Sequence, residues 1–296
     1  MSKAYTIGGT ACTINYRICA YTDPYNPLDL PPYTIRLLYK EGVTPTFSKG
    51  TPTQVSASPN VWDLTYESID WSKLLEGHVD LLEVLGANVV GVISMSNMFK
   101  NCTALTRVAL FDTSTVTVMY GMFASCYSLT SVPLFNTSNI TNMYNMFFSC
   151  GSLTSIPLFD TSNVVSMEYM LAGCVSLTSV PLFDTHNVTN MGTMLSECAS
   201  ITSVPLFDTS NVTNMWRMLD RCSSLTSVPL FDTSNVTTID YMLWNCGNVE
   251  SGALALYQQA STQANPPSTH VETFYRCGVN TVQGAAELAQ IPSDWK

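Results

Sequence analysis

Apolar positions along most of this chain recur in one fixed order. Between Ile140 and Leu153 they fall at Ile140, Met143, Met146, Phe147, Cys150 and Leu153, at steps of three and four. That spacing predicts one buried face of a short helix of roughly three turns, with Asn139 or Thr141 as its N-cap. The segment that follows, Thr154 to Phe159, alternates polar with apolar residues and predicts a short strand pairing with its counterpart in the next unit. Pro157 sits in the middle and has no N–H to donate. One ladder bond should therefore be missing per unit, or the strand should stop at the proline.

The same wording returns every 24 residues. Cys102, Cys126, Cys150, Cys174, Cys198, Cys222 and Cys246 mark the period, and an imperfect copy over 92–110 opens the series. Such a period is the signature of a solenoid, whose units bury their apolar face only by stacking on one another. The expected fold is therefore α/β: a solenoid over 92–252 with one short strand and one short helix per repeat. Residues 1–70 lack the repeat and carry β-like runs (Tyr5 to Ile7, Thr13 to Tyr21, Thr34 to Tyr39, Val61 to Tyr66) between proline-rich stretches, as a small separate β-rich domain would. Residues 71–91, with Leu74, Leu75, Val79, Leu81, Leu82 and Leu85, read as a helix, or helix and strand, capping the open end. Residues 253–296 read as a degenerate last repeat with insertions. In it Phe274-Tyr275-Arg276-Cys277 repeats the F-x-x-C step and Leu288 to Pro292 repeats L-T-S-V-P, after a helix near 252–260 and a loop at Asn265 to Ser268.

The unit L-T-S-V-P-L-F-D-T-S-N-V-T-N-M-x-x-M-F/L-x-x-C resembles the BspA-like leucine-rich-repeat proteins, which occur on bacterial surfaces and are also encoded by phages of gut bacteria. The resemblance covers roughly 85–252. It implies the leucine-rich-repeat plan, with binding or adhesion as the activity.

Composition narrows the partners. The net charge is -10, and no lysine lies between Lys100 and Lys296, so attraction to a phosphate backbone is not expected. No apolar run reaches the length of a membrane span, and 1–12 has no apolar core of a signal peptide. That last reading points toward a phage virion protein assembled in the host cytoplasm, attached to virion proteins through the N-terminal domain; a purely structural decoration or spacer protein of the virion and an adhesin on a bacterial cell surface are the alternatives. An attachment module of this kind also leaves room for a homo-oligomer.

Comparison of the copies separates scaffold from variable surface. The apolar positions hardly change. The two residues after the first Met and the two before each Cys change freely: Tyr144-Asn145 and Phe148-Ser149 in one unit become Trp216-Arg217 and Asp220-Arg221 in another. On a helix these positions face away from the core. Their wealth of Tyr, Trp, Asn, Ser, Gly and Arg has the make-up of a paratope, rigid aromatic anchors among adaptable polar groups. Tyr120, Tyr144, Asn145, Phe148, Tyr169, Trp216, Arg217, Arg221, Tyr241 and Trp244 are therefore the candidate ligand-binding residues, for a host surface protein or glycan. The uniform Thr and Ser of T-S-V-P offer a competing surface that encodes little.

The cysteine column occupies apolar positions and reads as buried free thiols; Cys12 and Cys19 leave a bridge open. The column Asp112, Asp160, Asp184, Asp208 and Asp232 reads as Asx-turns, with a calcium ladder as the less favoured alternative. The column Asn139, Asn163, Asn187, Asn211 and Asn235 reads as side chains bonding the backbone of the next turn. His78, His186 and His270 stand far apart, and neither a phosphate loop nor a nucleophile beside a base is present. No cofactor and no catalysis are expected.

Overall fold

The computed structural model describes residues 30–296 together with the backbone of two short strands, β1 (Ala4–Ile7) and β2 (Thr10–Thr13), which pair antiparallel. The expected runs at Thr13 to Tyr21, and Cys19 itself, lie outside the described residues, as does the side chain of Cys12. A second sheet has five strands: β3 (Thr34–Tyr39), β4 (Thr51–Ala57), β5 (Asn60–Thr65), β6 (Leu81–Asn88) and β7 (Arg107–Val108). Their order is β4-β5-β3-β6-β7, antiparallel except for the parallel pair β6–β7. Alternation in β3 puts Ile35, Leu37 and Tyr39 into the core. Arg36, on the other face, pairs with Asp63 at 2.7 Å. This sheet runs past residue 70 without a break, because β6 and β7 already belong to the stack, and its buried residues join one hydrophobic core extending to Trp295.

The expected helix does not form in the repeat. Met143 to Cys150 is instead a run of overlapping turns, with Met146 N–H donating to Met143 C=O, Phe148 to Asn145 and Cys150 to Phe147, each at 3.1 Å. The alternate N–H groups leave the unit altogether: those of Met143, Asn145, Phe147 and Ser149 donate to Ser166, Glu168, Met170 and Ala172 of the following one, at 2.7 to 3.1 Å. Two residues per unit take positive φ, here Asn145 (56°) and Ser149 (57°), and the pattern holds from Lys73 and Gly77 to Glu272 and Arg276. The turns closed by Met146 and Cys150 have positive φ at the third residue but not at the second, the type II pattern, while the turn between them, Asn145 to Phe148, has positive φ at neither central residue.

The stacking distance explains the preference. Equivalent rings of Phe99, Phe123 and Phe147 stack nearly parallel at centroid distances of 5.4 and 5.7 Å, the spacing of paired backbones. An α-helix is about 10 Å across with its side chains, so one per unit could not be accommodated at that rise. The turn ladder buries the same face the helix would have buried: Ile140, Met143, Met146, Phe147, Cys150 and Leu153 are fully inaccessible.

On the other side of the unit the expected strand is reduced to single contacts. Thr130, Thr154 and Thr226 donate to Thr106, Thr130 and Thr202, and pairing ends at the proline. There Phe159 N–H bonds Pro157 C=O at 3.0 Å, a γ-turn that shifts the alternation by one residue. Phe159 turns inward and Leu158 outward, and the same bond recurs at Phe135, Phe183, Phe207 and Phe231. The link to the next turn ladder is held by side chains. Asp160 Oδ1 accepts from Ser162 N–H as an Asx-turn, and its counterparts do likewise. Thr161 donates forward to Asp184 C=O at 2.7 Å, while Asn163 reaches back to Ser138 C=O at 2.8 Å. The asparagine column thus ties each unit to the preceding one, not to its own next turn.

Both ends differ from expectation. Trp71, Leu74, Leu75 and Leu81 lie 24 residues before Met95, Met98, Phe99 and Leu105, and Trp71, Lys73, Leu75 and Gly77 donate to Ser94, Ser96, Met98 and Lys100. The segment taken for a helical cap is therefore a further turn ladder, hidden because Trp, Leu and His replace Met, Phe and Cys. At the far end α1 (Ala253–Thr262) matches the expected helix. The last ladder takes the N–H bonds of Ile239, Tyr241, Leu243 and Asn245 on Thr269, Val271, Thr273 and Tyr275. Leu288 does not repeat the strand: it lies in α2 (Val282–Gln290). Gly284 of this helix sits against Gly278 and Val249 so closely that a Cβ would lie 2.0 Å from the Val249 carbonyl oxygen.

Candidate functional site

The positive-φ residues line one face of the ladder. The first of each pair is Lys73 in the opening unit and then Asn97, Gly121 and Asn145, the last three of residue types that adopt this conformation readily. In the next four units it is Tyr169, Thr193, Arg217 and Tyr241, and Glu272 closes the series. Bulky or β-branched residues there cost about 1–2 kcal/mol each. Asn or Gly would relieve that cost, so at these four positions the side chain runs against the backbone's preference.

All the sequence-derived candidates lie on this ladder. Tyr120 and Tyr144 are 40% and 37% exposed, Arg221 is exposed, and Asn145, Phe148, Tyr169, Trp216, Arg217, Tyr241 and Trp244 are half-buried. They form two groups. Tyr169 meets Tyr144 and Phe148 edge-on at 6.0 and 6.2 Å. Further along, the Arg217 guanidinium lies over Trp216 at 5.1 Å and Tyr241 at 4.8 Å, and Arg221 lies over Trp244 at 4.9 Å. Trp244 stacks on Tyr275 and donates to Glu272 at 3.0 Å. Between the groups runs the unit with the smallest side chains, Gly192, Thr193 and Ser196, and there a cleft of about 220 Å³ opens, walled by Phe148 and Tyr169 on one side and Trp216 on the other.

The charges at the cleft are arranged around one buried carboxylate. Asp220 has a side-chain exposure of 1% and pairs through Oδ2 with Arg217 Nη1 at 3.3 Å. Burial pushes its carboxyl above the ordinary range, and Arg217 and Arg221 oppose that rise. Arg221 itself pairs with Glu197 of the neighbouring unit at 2.5 Å and closes the rim. Thr193 Oγ1, Arg217 Nε and Asp220 Oδ1 are buried without a hydrogen-bond partner.

A family model described as "Mycoplasma protein of unknown function, DUF285" matches the chain twice, over 78–179 and 154–256. The chain belongs to this family. The match supports the BspA-like leucine-rich-repeat assignment, and it carries nothing about a phage. No curated protein matches. Among solved structures, the crystal structure of a leucine-rich-repeat protein of T. pallidum is similar at 17% identity and a TM-score of 0.42, over 71% of this chain and 86% of that one.

Within this DUF285 chain, selection of candidates by aromatic size missed Thr193, Ser196 and Asp220. Each stands among the freely changing positions, and an acid among Ala124, Phe148, Ala172, Ser196 and Trp244 in the six regular copies was the available signal for Asp220. These positions do not all point outward as helix geometry required: Ala124, Ala172, Thr193, Ser196 and Asp220 are buried, because the backbone here is a turn ladder and not a helix. A second surface was also missed. Leu110, Leu134, Leu158, Leu182, Leu206 and Leu230, put outside by the γ-turn in most units, form a column 52% to 61% exposed. The cysteines from Cys102 to Cys277 are buried free thiols, each lifted in pKa by burial. Among the described residues no group of three metal-binding side chains comes together.

Proposed function

We propose that the protein is a non-enzymatic binding protein that presents the ladder face from Tyr120 to Trp244 to a ligand on a host surface. The observation carrying this reading is the set of Tyr169, Thr193, Arg217 and Tyr241 held at positive φ, where the fold alone would favour Asn or Gly. Strain of this kind persists where side chains are kept for recognition. The aromatic and arginine clusters around them supply the rigid anchors such a face needs. Alanine at Tyr144, Trp216 and Trp244 should abolish attachment of the full chain to host cells while its thermal midpoint shifts by only a few degrees; attachment that survives the triple change would refute the proposal.

The setting proposed is a phage virion, with attachment through the β-rich N-terminal sheet; a bacterial cell surface is the alternative. β4 favours an attachment role, since it is an edge strand exposed at nearly every residue and open to pairing with another chain. Mass spectrometry of purified particles against envelope fractions decides between the two. The exposed leucine column favours a second reading, in which the protein packs against structural neighbours. Serine at Leu158, Leu182 and Leu206 should then block assembly and leave host-cell attachment by the free protein intact.

A further inference from the structure

From the cleft between Tyr169 and Trp216 we infer a binding site for one neutral pyranose ring, such as a terminal sugar of a surface glycan. The inference rests on the recognition reading above and names its ligand class. Its first support is shape. Aromatic side chains of the units before and after flank the small residues Gly192, Thr193 and Ser196, so the walls stand two unit spacings apart, about 10 Å between backbones. The cleft, about 220 Å³, is smaller than the roughly 300 Å³ at which pockets for drug-sized ligands begin. It suits a single six-membered ring whose C–H faces lie against Phe148, Tyr169 and Trp216 and remove apolar area from water.

The second support is the hydrogen-bond inventory. The ion pair of Arg217 with Asp220 uses Nη1 and Oδ2, which leaves Arg217 Nε as a free donor and Asp220 Oδ1 as a free acceptor, with Thr193 Oγ1 able to serve as either. A buried group left in this condition is destabilising unless a partner arrives. An ammonium brings only donors and would meet Arg217 and Arg221. A carboxylate or phosphate brings only acceptors and would meet Asp220 and Glu197. A hydroxyl both donates and accepts, so a neutral sugar is the ligand class that answers the donor and the acceptors alike.

The test is titration of the full chain with the methyl hexopyranosides of glucose, galactose and mannose, followed by saturation-transfer NMR and tryptophan fluorescence. Cyclohexylamine and cyclohexanecarboxylate serve as charged rings of equal size. At least one neutral glycoside should bind with a dissociation constant on the order of 1 mM or tighter, the range expected of a ligand this small. Both charged rings should bind at least about tenfold more weakly. Asp220→Asn and Trp216→Ala should each weaken the glycoside by about tenfold or more, whereas Val282→Ser, exposed in α2, should not. Circular dichroism confirms that each variant is folded. Absence of glycoside binding, a charged ring binding more tightly, or unchanged binding in Asp220→Asn overturns the inference. Attachment to host cells that is lost in Tyr144→Ala with Trp244→Ala but kept in Asp220→Asn would overturn the sugar site and leave the recognition face standing. Glycoside binding in a protein whose attachment survives all of these changes would do the reverse.

Discussion

A single residue shows what the turn ladder exacts. Thr193 is β-branched, holds φ at 58° and buries a hydroxyl without a partner. The conformation costs about 1–2 kcal/mol and the orphaned hydroxyl about 1–3. Against this stand about 0.8 kcal/mol for each buried carbon a smaller residue would lose and up to about 1 kcal/mol for the entropy glycine gives up on folding. The balance favours glycine, so Thr193→Gly should raise the unfolding midpoint by a few degrees and weaken binding in the cleft. Asn145→Thr, which introduces a β-branched residue at the equivalent positive-φ position between Tyr144 and Phe148, should lower the midpoint by a similar amount. Differential scanning calorimetry of the two variants checks both signs. A lower midpoint for Thr193→Gly would mean that the positive-φ positions carry no strain worth relieving.

At the scale of the element, the burial pattern was legible in the sequence and the backbone was not. Steps of three, three, one and three among Ile140, Met143, Met146, Phe147 and Cys150 place those side chains on one side of an α-helix, and the turn ladder does the same. The distinguishing signal is the residue at every fourth position, where positive φ is required: Gly121 and Ser125, then Asn145 and Ser149, then Gly173. Tyr169, Thr193, Arg217 and Tyr241 hide it, since none of them is a residue type that favours this conformation. The strand was lost to a γ-turn that no local alternation reports. Proline distinguishes the two backbones by experiment. Glu168 is the second residue of the turn closed by Met170 N–H on Met167 C=O, at 3.1 Å; its own N–H makes only a long 3.4 Å contact to Ser166 Oγ, and proline favours this place in a type II turn. Glu168→Pro should therefore shift the midpoint by no more than a few degrees, where a helix interior would lose about 3 kcal/mol or more. Far-UV circular dichroism of the parent should accordingly show little helix, since α1 and α2 span only 10 and 9 residues.

The solenoid as a whole was readable from its period alone, because a repeat that cannot bury its apolar face by itself has to stack, whatever backbone it uses. Stacking brings the cysteines into a buried column, each thiol from Cys102 to Cys246 donating to a carbonyl of the unit before at 3.0 to 3.2 Å, as Cys150 does to Phe123. Burial raises the pKa of every one, to about 12 for Cys102, Cys174 and Cys277. In the unfolded chain a thiol ionises near ~8.5. Below that pH both states keep the proton and the thiols contribute no pH dependence. Above it, up to about 12, the unfolded chain releases protons that the folded one retains, so stability falls as pH rises. The acid limb has the opposite sign and lies lower: hydrogen bonds from Ser114, His186 and Ser210 hold Asp112, Asp184 and Asp208 below the usual carboxylate range. Their contribution is present above about pH 3.9 and is lost as pH falls through the folded values. The unfolding midpoint should thus be flat near neutrality and drop steeply between about pH 9 and pH 11, with the thiols closed to a disulfide reagent until the chain unfolds. Replacing Cys150 and Cys174 with alanine should make the alkaline slope shallower, because two of the groups that ionise only on unfolding are gone. A slope unchanged by that double substitution would assign the alkaline loss to other groups and leave the column as packing alone.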